Sequence, residues 1–367
     1  MKRVFAAIVL SAALLSGCGK ISDVRRRLVV HSIGIDPSDD GGYTVSYQVF
    51  SGGGNSDSGP VDASESTVKT LVSGGKTLAE AEEGLRLKTG KEVFLGDVEL
   101  IVISDSLKDE GLGEFLQYFR KSDVYLGVNA VYCRGSASKV IGTKLEQGEA
   151  ASILLREVVE RAVEESRASS SRIIEISNAV SAPSEAIAIP LLEVKRGEDS
   201  GEDSTVSNLS VGITGGIVVS GVRPVKSADA DACAGIRLLR GNAKRLSLSV
   251  NTSSGAASLC IDNIKIKRKL GFSGGSPLIT IKISGRYKIM SAPENARESE
   301  IVSEAEKALL SLCEKARRLS AESGDDLFGI GRMIEKYAPS ASKLYGGDFS
   351  EAVKSSVYDV FARLSEY

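Results

Sequence analysis

The chain has 367 residues, of which 42% are hydrophobic and 26% are charged, a composition typical of folded globular proteins and unlike that of disordered chains. Its 46 basic and 48 acidic residues give a net charge of -2, so no overall basic charge indicates nucleic-acid binding. A single histidine and five widely spaced cysteines argue against a zinc site, which needs several such ligands close together.

The first twenty residues have the pattern of a bacterial export signal. Two basic residues precede an uncharged apolar run, Val4 to Leu15, which is too short to cross a bilayer core of about 30 Å as a helix. The next segment, Leu15-Ser16-Gly17-Cys18, matches a lipobox, in which small residues precede a thiol that accepts a diacylglyceryl group. The sequence predicts a signal peptide over 1–17 and a lipid on Cys18; the alternative is a general secretory signal with an incidental cysteine.

The charge of the mature chain gives no overall attraction to a membrane. Removal of Lys2 and Arg3 leaves 44 basic and 48 acidic residues, a formal charge of -4. No later stretch approaches eighteen uninterrupted apolar residues, the minimum that indicates a membrane-spanning helix. The predicted lipid on Cys18 is therefore the expected anchor.

Four further cysteines are expected to be structural. Cys133, Cys233, Cys260 and Cys313 form no CxxC pair and have no metal-ligand spacing. In an exported protein these four cysteines can form up to two disulfides. Four partly buried free thiols are the simpler expectation, because a chain of this size folds without cross-links.

The N-terminal block is predicted to open with a β-hairpin. Leu28 to Asp36 is an apolar run that ends in a turn, and Tyr43 to Val49 alternates apolar and polar residues, the period of a half-buried strand. Thr77 and Glu80 have the spacing of a capping box. Apolar spacing predicts helices over 77–87, 112–120 and 145–167 and a central strand over 98–103.

The rest of the chain favours two further blocks. A strand is predicted over 187–194, followed by a compact unit rich in turns that is bracketed by Gly216–Val219 and Gly235–Arg240. The last block has predicted strands at 246–250 and 279–283, a helix over 296–320, a turn over 326–331 and a short helix over 333–337. Strands grouped apart from helices indicate an α+β fold, here three mixed α/β domains in series behind a lipidated N-terminus, over 18–180, 181–244 and 245–367.

No group of residues predicts catalysis. His31, the one histidine, lies inside an apolar run without an evident partner, so it is expected to be structural. The two glycine-lysine sequences, at 74–76 and 90–91, lack the spacing of a phosphate-binding loop. The sequence thus predicts no enzyme activity, no metal site and no cofactor.

Five segments, taken in order, resemble the Ger(x)C family, the C-subunit lipoproteins of bacterial spore-germination receptors. They are Ile33-Gly34-Ile35-Asp36 after the lipobox, Gly75-Lys76-Thr77-Leu78 before a helix, Phe94 to Ile103, Gly216 to Gly241, and Asp326-Leu327-Phe328-Gly329-Ile330-Gly331. Two positions depart from the family pattern: Asp97 replaces a histidine, and the tryptophan expected after the last motif is missing, with Tyr345 nearby.

The resemblance implies a non-catalytic subunit on the outer face of the spore inner membrane, held by lipidated Cys18. It implies an A-type and a B-type receptor subunit as partners, and processing by lipoprotein-modifying enzymes. Two turns are candidates for partner contact, with the alternative that they only shape the fold. Their residues are Phe94, Gly96 and Asp97 in the first, and Asp326, Phe328, Gly329 and Gly331 in the second.

Two other classes of protein share some of these features. A lipid-anchored solute-binding protein of a transporter has a similar size and a lipobox, but it usually has two α/β lobes with repeated strand-helix alternation. The strand-rich start of the third block and the motif at 326–331 argue against it. An exported hydrolase is disfavoured by the single histidine.

Overall fold

A computed structural model describes residues 26–51, 67–107, 112–143, 151–182, 184–196 and 209–366. The predicted signal peptide and the lipobox residues Leu15, Ser16, Gly17 and Cys18 lie outside the described residues. Thirteen strands and ten α-helices are described. Together with the division of the strands into two sheets, they confirm the predicted mixed α/β character.

The strands are β1 (Arg27–Pro37), β2 (Tyr43–Ser51), β3 (Thr67–Gly75), β4 (Glu92–Phe94), β5 (Leu100–Ser104), β6 (Asn129–Cys133), β7 (Ala186–Arg196), β8 (Leu209–Ser220), β9 (Arg223–Asp229), β10 (Leu246–Thr252), β11 (Gly255–Ser273), β12 (Ser276–Ser291) and β13 (Val357–Glu366). The helices are α1 (Leu78–Thr89), α2 (Gly113–Lys121), α3 (Ala137–Ile141), α4 (Ala151–Glu164), α5 (Ile173–Ser181), α6 (Ala230–Arg240), α7 (Glu298–Ser323), α8 (Ile330–Tyr337), α9 (Pro339–Tyr345) and α10 (Ser350–Ser355).

The first sheet has the order β3-β2-β1-β5-β6-β7-β8-β9, and β4 also pairs with β1. Its first three strands are antiparallel, which confirms the predicted hairpin, and β1, β5, β6 and β7 are parallel. All five residues of the central strand β5 are buried, as expected for a parallel strand covered on both faces. The predicted capping interaction is also present, since the Thr77 hydroxyl accepts from the Glu80 N–H at 3.1 Å, while the Glu80 carboxylate accepts from the Lys76 N–H at 2.8 Å.

The second sheet has the order β10-β11-β12-β13. Strands β10 to β12 form an antiparallel meander, and β13 returns parallel to β12 after the last four helices. One face of the sheet packs against the apolar stripe of α7, which includes the buried Ile301, Leu309 and Leu312. This stripe is the one that the sequence predicted for the long C-terminal helix.

The prediction of a turn-rich unit between the first and third blocks is wrong. Residues 209–229 form the strands β8 and β9, and residues 230–240 form α6. Gly216 and Gly235, in the two segments that bracket this unit, therefore lie inside a strand and a helix. Gly235 is required by close packing, because a Cβ there would overlap the carbonyl oxygen of Leu312 in α7.

Helix α6 joins the two sheets through one apolar core. Buried Ala188 and Val218 of the first sheet belong to the same cluster as Ile236 of α6 and Ile281 of the second sheet. Strands β7 to β9 extend the first sheet, so this sheet runs across the predicted boundary at residue 181. The division into three domains stays a prediction.

Candidate functional site

The first candidate turn connects β4 to β5. The Arg27 guanidinium lies 5.3 Å from the centroid of the Phe94 ring, and this ring covers Gly96 so closely that a Cβ at Gly96 would be 2.5 Å from it. Leu95 is buried beneath the turn. Phe94 and Gly96 thus fix the course of the chain and bring Asp97 to the surface.

Asp97 is the exposed carboxylate of this turn. Its Oδ2 lies 3.2 Å from Nδ1 of His31, and 57% of its side chain is accessible to solvent. Burial lowers the pKa of His31, while the charges of Asp97 and Glu99 oppose that effect. The pair therefore places a half-buried imidazole against an acid that stands where the family pattern has a histidine.

The second candidate turn is closed by the side chain of Asp326. One carboxylate oxygen, Oδ1, accepts from the N–H groups of Phe328 at 3.2 Å and Ile330 at 2.8 Å, and Oδ2 accepts from that of Gly331 at 2.8 Å. Only 2% of Asp326 is exposed. A carboxylate at this place satisfies the first N–H groups of α8 and is favoured by the helix dipole.

The glycines and the phenylalanine of this motif have separate packing roles. Gly329 has φ +69°, a left-handed conformation that disfavours a side chain. At Gly331 a Cβ would lie 2.5 Å from the Phe349 ring. The Phe328 ring is buried and meets Tyr358 edge to face with centroids 6.0 Å apart.

The same turn joins the first sheet to the C-terminal region. The Asp326 N–H donates to the Ser184 carbonyl at 2.7 Å, and the Asp326 carbonyl accepts from the Ala186 N–H at 3.1 Å. Glu185, which lies between Ser184 and Ala186 in the chain, is 4% exposed and forms ion pairs with Arg240 at 2.9 Å and Arg332 at 2.7 Å. The turn, the start of β7 and the end of α6 therefore form one buried polar junction.

Arg268 of β11 also belongs to this junction. Its guanidinium donates to the carbonyls of Phe328 at 2.7 Å and Arg240 at 3.0 Å, and its burial lowers its pKa. Glu185, Arg240, Arg268 and Arg332 are not predicted as a group from the sequence. The four residues are far apart in the chain and have no short-range spacing that would reveal their association.

The two turns do not form one site. Within the described ranges no hydrogen bond or ion pair joins residues 94–97 to residues 326–331. The burial of Asp326, Phe328 and Gly331 favours the alternative that their motif shapes the fold. Exposed Asp97 remains a predicted contact residue.

The described residues show no arrangement that indicates catalysis. Cys133, Cys233, Cys260 and Cys313 are free and buried, and burial raises the pKa of Cys233 and Cys313 to about 12, so these two thiols are protonated at neutral pH. Among the residues that the structure describes, no group of His, Cys, Asp or Glu has the arrangement of a metal site.

A groove of about 550 Å³ lies beside α1 and α2. Two of its three carboxylates already accept hydrogen bonds within the protein, Glu82 from the Tyr118 hydroxyl at 2.6 Å and Glu114 from the Tyr43 hydroxyl at 3.0 Å; Asp123 is the third. These two carboxylates are therefore held by tyrosine hydroxyls of the protein itself.

Comparison with known proteins gives two family models that together cover most of the chain. The model described as the spore germination protein N-terminal domain matches residues 20–194, and the one described as spore germination B3/GerAC like, C-terminal, matches residues 214–364. No curated protein matches the chain. The crystal structure of the GerBC protein matches with a TM-score of 0.52 at 15% identity, over 90% of this chain and 96% of that one, which shows a shared fold.

Proposed function

The chain belongs to the Ger(x)C family of spore-germination proteins, and from this premise we propose that it is the lipid-anchored C subunit of a germinant receptor. The observation that carries the proposal is the pair of family matches, which follow each other in order and begin two residues after Cys18. The fold shared with GerBC is consistent with that assignment.

The proposed anchor is a diacylglyceryl group on Cys18, with the body on the outer face of the spore inner membrane. No helix among the described residues is long and apolar enough to span a bilayer. Buried acyl chain contributes about 0.8 kcal/mol per methylene, so two chains hold a protein durably. A body kept in a thin layer at the membrane meets integral partners at a raised effective concentration, so weak contacts suffice.

The proposed role is structural and non-catalytic, in a complex with an A-type and a B-type receptor subunit. The family assignment supports receptor subunits as partners. The structure is consistent with this role, because one apolar cluster and the Asp326 junction connect the two sheets. A solute-binding protein remains the competing function, and it predicts direct binding of a small solute without receptor subunits.

The proposal predicts lipid-dependent recovery of the complex. With a C-terminal affinity tag, the wild-type protein should incorporate labelled palmitate and co-purify with both membrane subunits after detergent extraction of spores. Cys18→Ala should lose the label and most of the co-purified subunits. Cys260→Ala, at a buried thiol, is the matched control and should keep both.

Two outcomes would contradict the proposal. Label in Cys18→Ala would place the lipid on another residue. Labelled wild-type protein that brings down neither membrane subunit, but binds a free solute in a titration, would favour the solute-binding protein.

A further inference from the structure

One face of the second sheet carries an unusual density of positive charge. Along β11 to β13 the inward side chains, such as Ile279, Ile281 and Ile283, are buried in the core, and the outward ones alternate with them. The outward face presents seven exposed cations, which we call the basic face: Lys265, Lys267, Lys269, Lys282, Arg286, Lys288 and Arg363.

The strand register places these charges side by side. Lys267 lies directly opposite Lys282, and Lys282 lies opposite Phe361 on β13. Neighbouring strands are about 4.8 Å apart, and like charges directly opposite each other destabilise a sheet. The central pair of lysines is therefore an unfavourable contact within the isolated protein.

The described part of the protein does not neutralise this repulsion. Two carboxylates share this face: Asp262 lies opposite Arg286 and 3.2 Å from Arg245, and exposed Asp359 lies opposite Thr280, two residues from Lys282 along β12. Within the described ranges, no carboxylate is at ion-pair distance from six of the seven cations. These are Lys265, Lys267, Lys269, Lys282, Lys288 and Arg363. An external anionic surface would relieve the repulsion.

The chemistry of the basic face fits lipid headgroups better than a single anionic group. Five of its seven cations are lysines, which act as point charges without the paired geometry that arginine offers to one carboxylate or phosphate. Exposed apolar side chains lie among them, with Phe361 55% and Met290 63% accessible. Basic residues interspersed with apolar ones are typical of surfaces that rest at the headgroup level of a membrane.

The asymmetry of charge gives the interaction a direction. The mature chain has a net charge of -4, so the surface outside the basic face is strongly acidic and is repelled by anionic lipid.

The segment from Cys18 to Arg26 reaches at most about 30 Å when extended, which keeps the body close to the bilayer. This step rests on the proposed anchor at Cys18.

We propose that the basic face docks on anionic phospholipid headgroups and so orients the tethered body on the membrane. The lipid on Cys18 holds the protein there, and the basic face selects which side of the body meets the bilayer. The opposite, acidic surfaces are thereby turned toward partners and the aqueous phase.

Vesicle binding of the mature chain without its lipid tests the proposal. The chain from residue 18 onward, with Cys18→Ser, is mixed with phosphatidylcholine vesicles that contain or lack phosphatidylglycerol, and bound protein is separated by flotation. Wild-type protein should bind only the anionic vesicles, and high salt should release it. Lys265→Glu, Lys267→Glu and Lys282→Glu together should weaken binding by at least about a hundredfold, because each lost lysine contributes roughly a fivefold factor near an anionic surface and each glutamate adds repulsion.

A second triple variant controls for total charge. Lys69→Glu, Lys91→Glu and Lys343→Glu change three exposed lysines and alter the net charge equally, so this variant should bind like the wild type. Equal losses in both variants, or wild-type binding that does not depend on phosphatidylglycerol, would overturn the proposal. Absence of vesicle binding together with a germination defect of the basic-face variant would also overturn it and assign the face to an acidic protein partner. Neither result bears on palmitate labelling at Cys18, so the anchor is tested separately.

Discussion

Asp326→Ala is expected to destabilise the protein by at least about 3 kcal/mol, because three buried N–H groups lose their acceptor and each costs about 1–3 kcal/mol when unsatisfied. The carboxylate is 2% exposed, which leaves water little access to replace it. It accepts from Phe328, Ile330 and Gly331. The measurement is the free energy of unfolding from urea denaturation of the purified chain.

Two variants calibrate that loss. Asp326→Asn keeps one acceptor oxygen and should fall between wild type and alanine. Asp348→Ala removes an exposed carboxylate that accepts from the Ser350 N–H at 3.0 Å and should cost about 1 kcal/mol, the usual net contribution of one hydrogen bond. A similar small loss for Asp326→Ala would show that the turn does not depend on its carboxylate.

Gly235→Ala is expected to destabilise the protein by about 1–3 kcal/mol, the usual cost of overpacking. In an ordinary helix interior the same change stabilises by about 1 kcal/mol, because alanine is the better helix former. Here the added Cβ would overlap the Leu312 carbonyl oxygen, so α6 and α7 would have to separate. Thermal unfolding measures the effect, and its sign distinguishes the two cases.

Gly113→Ala is the control for adding a methyl group to a helical glycine that has no close contact. Gly113 is the first residue of α2, and a Cβ there would lie 3.8 Å from Val222, an ordinary contact distance. This variant should unfold at or above the wild-type temperature. Gly235→Ala that behaves like Gly113→Ala would contradict the close contact between α6 and α7.

The predictable part of the fold is the part that repeats in sequence. The alternation over 43–49 and the apolar stripe from Ile301 to Leu319 specify which face is buried, and both elements form as predicted. Strand β3 was not predicted, since Thr67 to Gly75 lacks a regular apolar period and is held by its pairing with β2. Helix α6 was not predicted, and Gly235 inside it is explained by close packing against α7 rather than by helix propensity.

The candidate sites differ in what the sequence alone can show. The motif at 326–331 is recognisable by its residue order, but its role as a cap depends on the coordinates of Asp326. Glu185 and Arg332 form an ion pair although they are far apart in the sequence, and such long-range contacts have no local sequence pattern. The net negative charge of the chain gives no indication of the basic face. The opposition of Lys267 and Lys282 is visible only once β11 and β12 are paired.

The most direct test of the central claim is nutrient-triggered germination of spores that carry the gene, lack it, or carry Cys18→Ala. Release of a core solute is followed over time, with a trigger that bypasses the receptors as the control. Loss of the nutrient response in the deletion, a weakened response in Cys18→Ala and unchanged bypass germination are the results that the account predicts. In a background without sibling receptor genes that cover the loss, an unchanged nutrient response after deletion of this gene would contradict it.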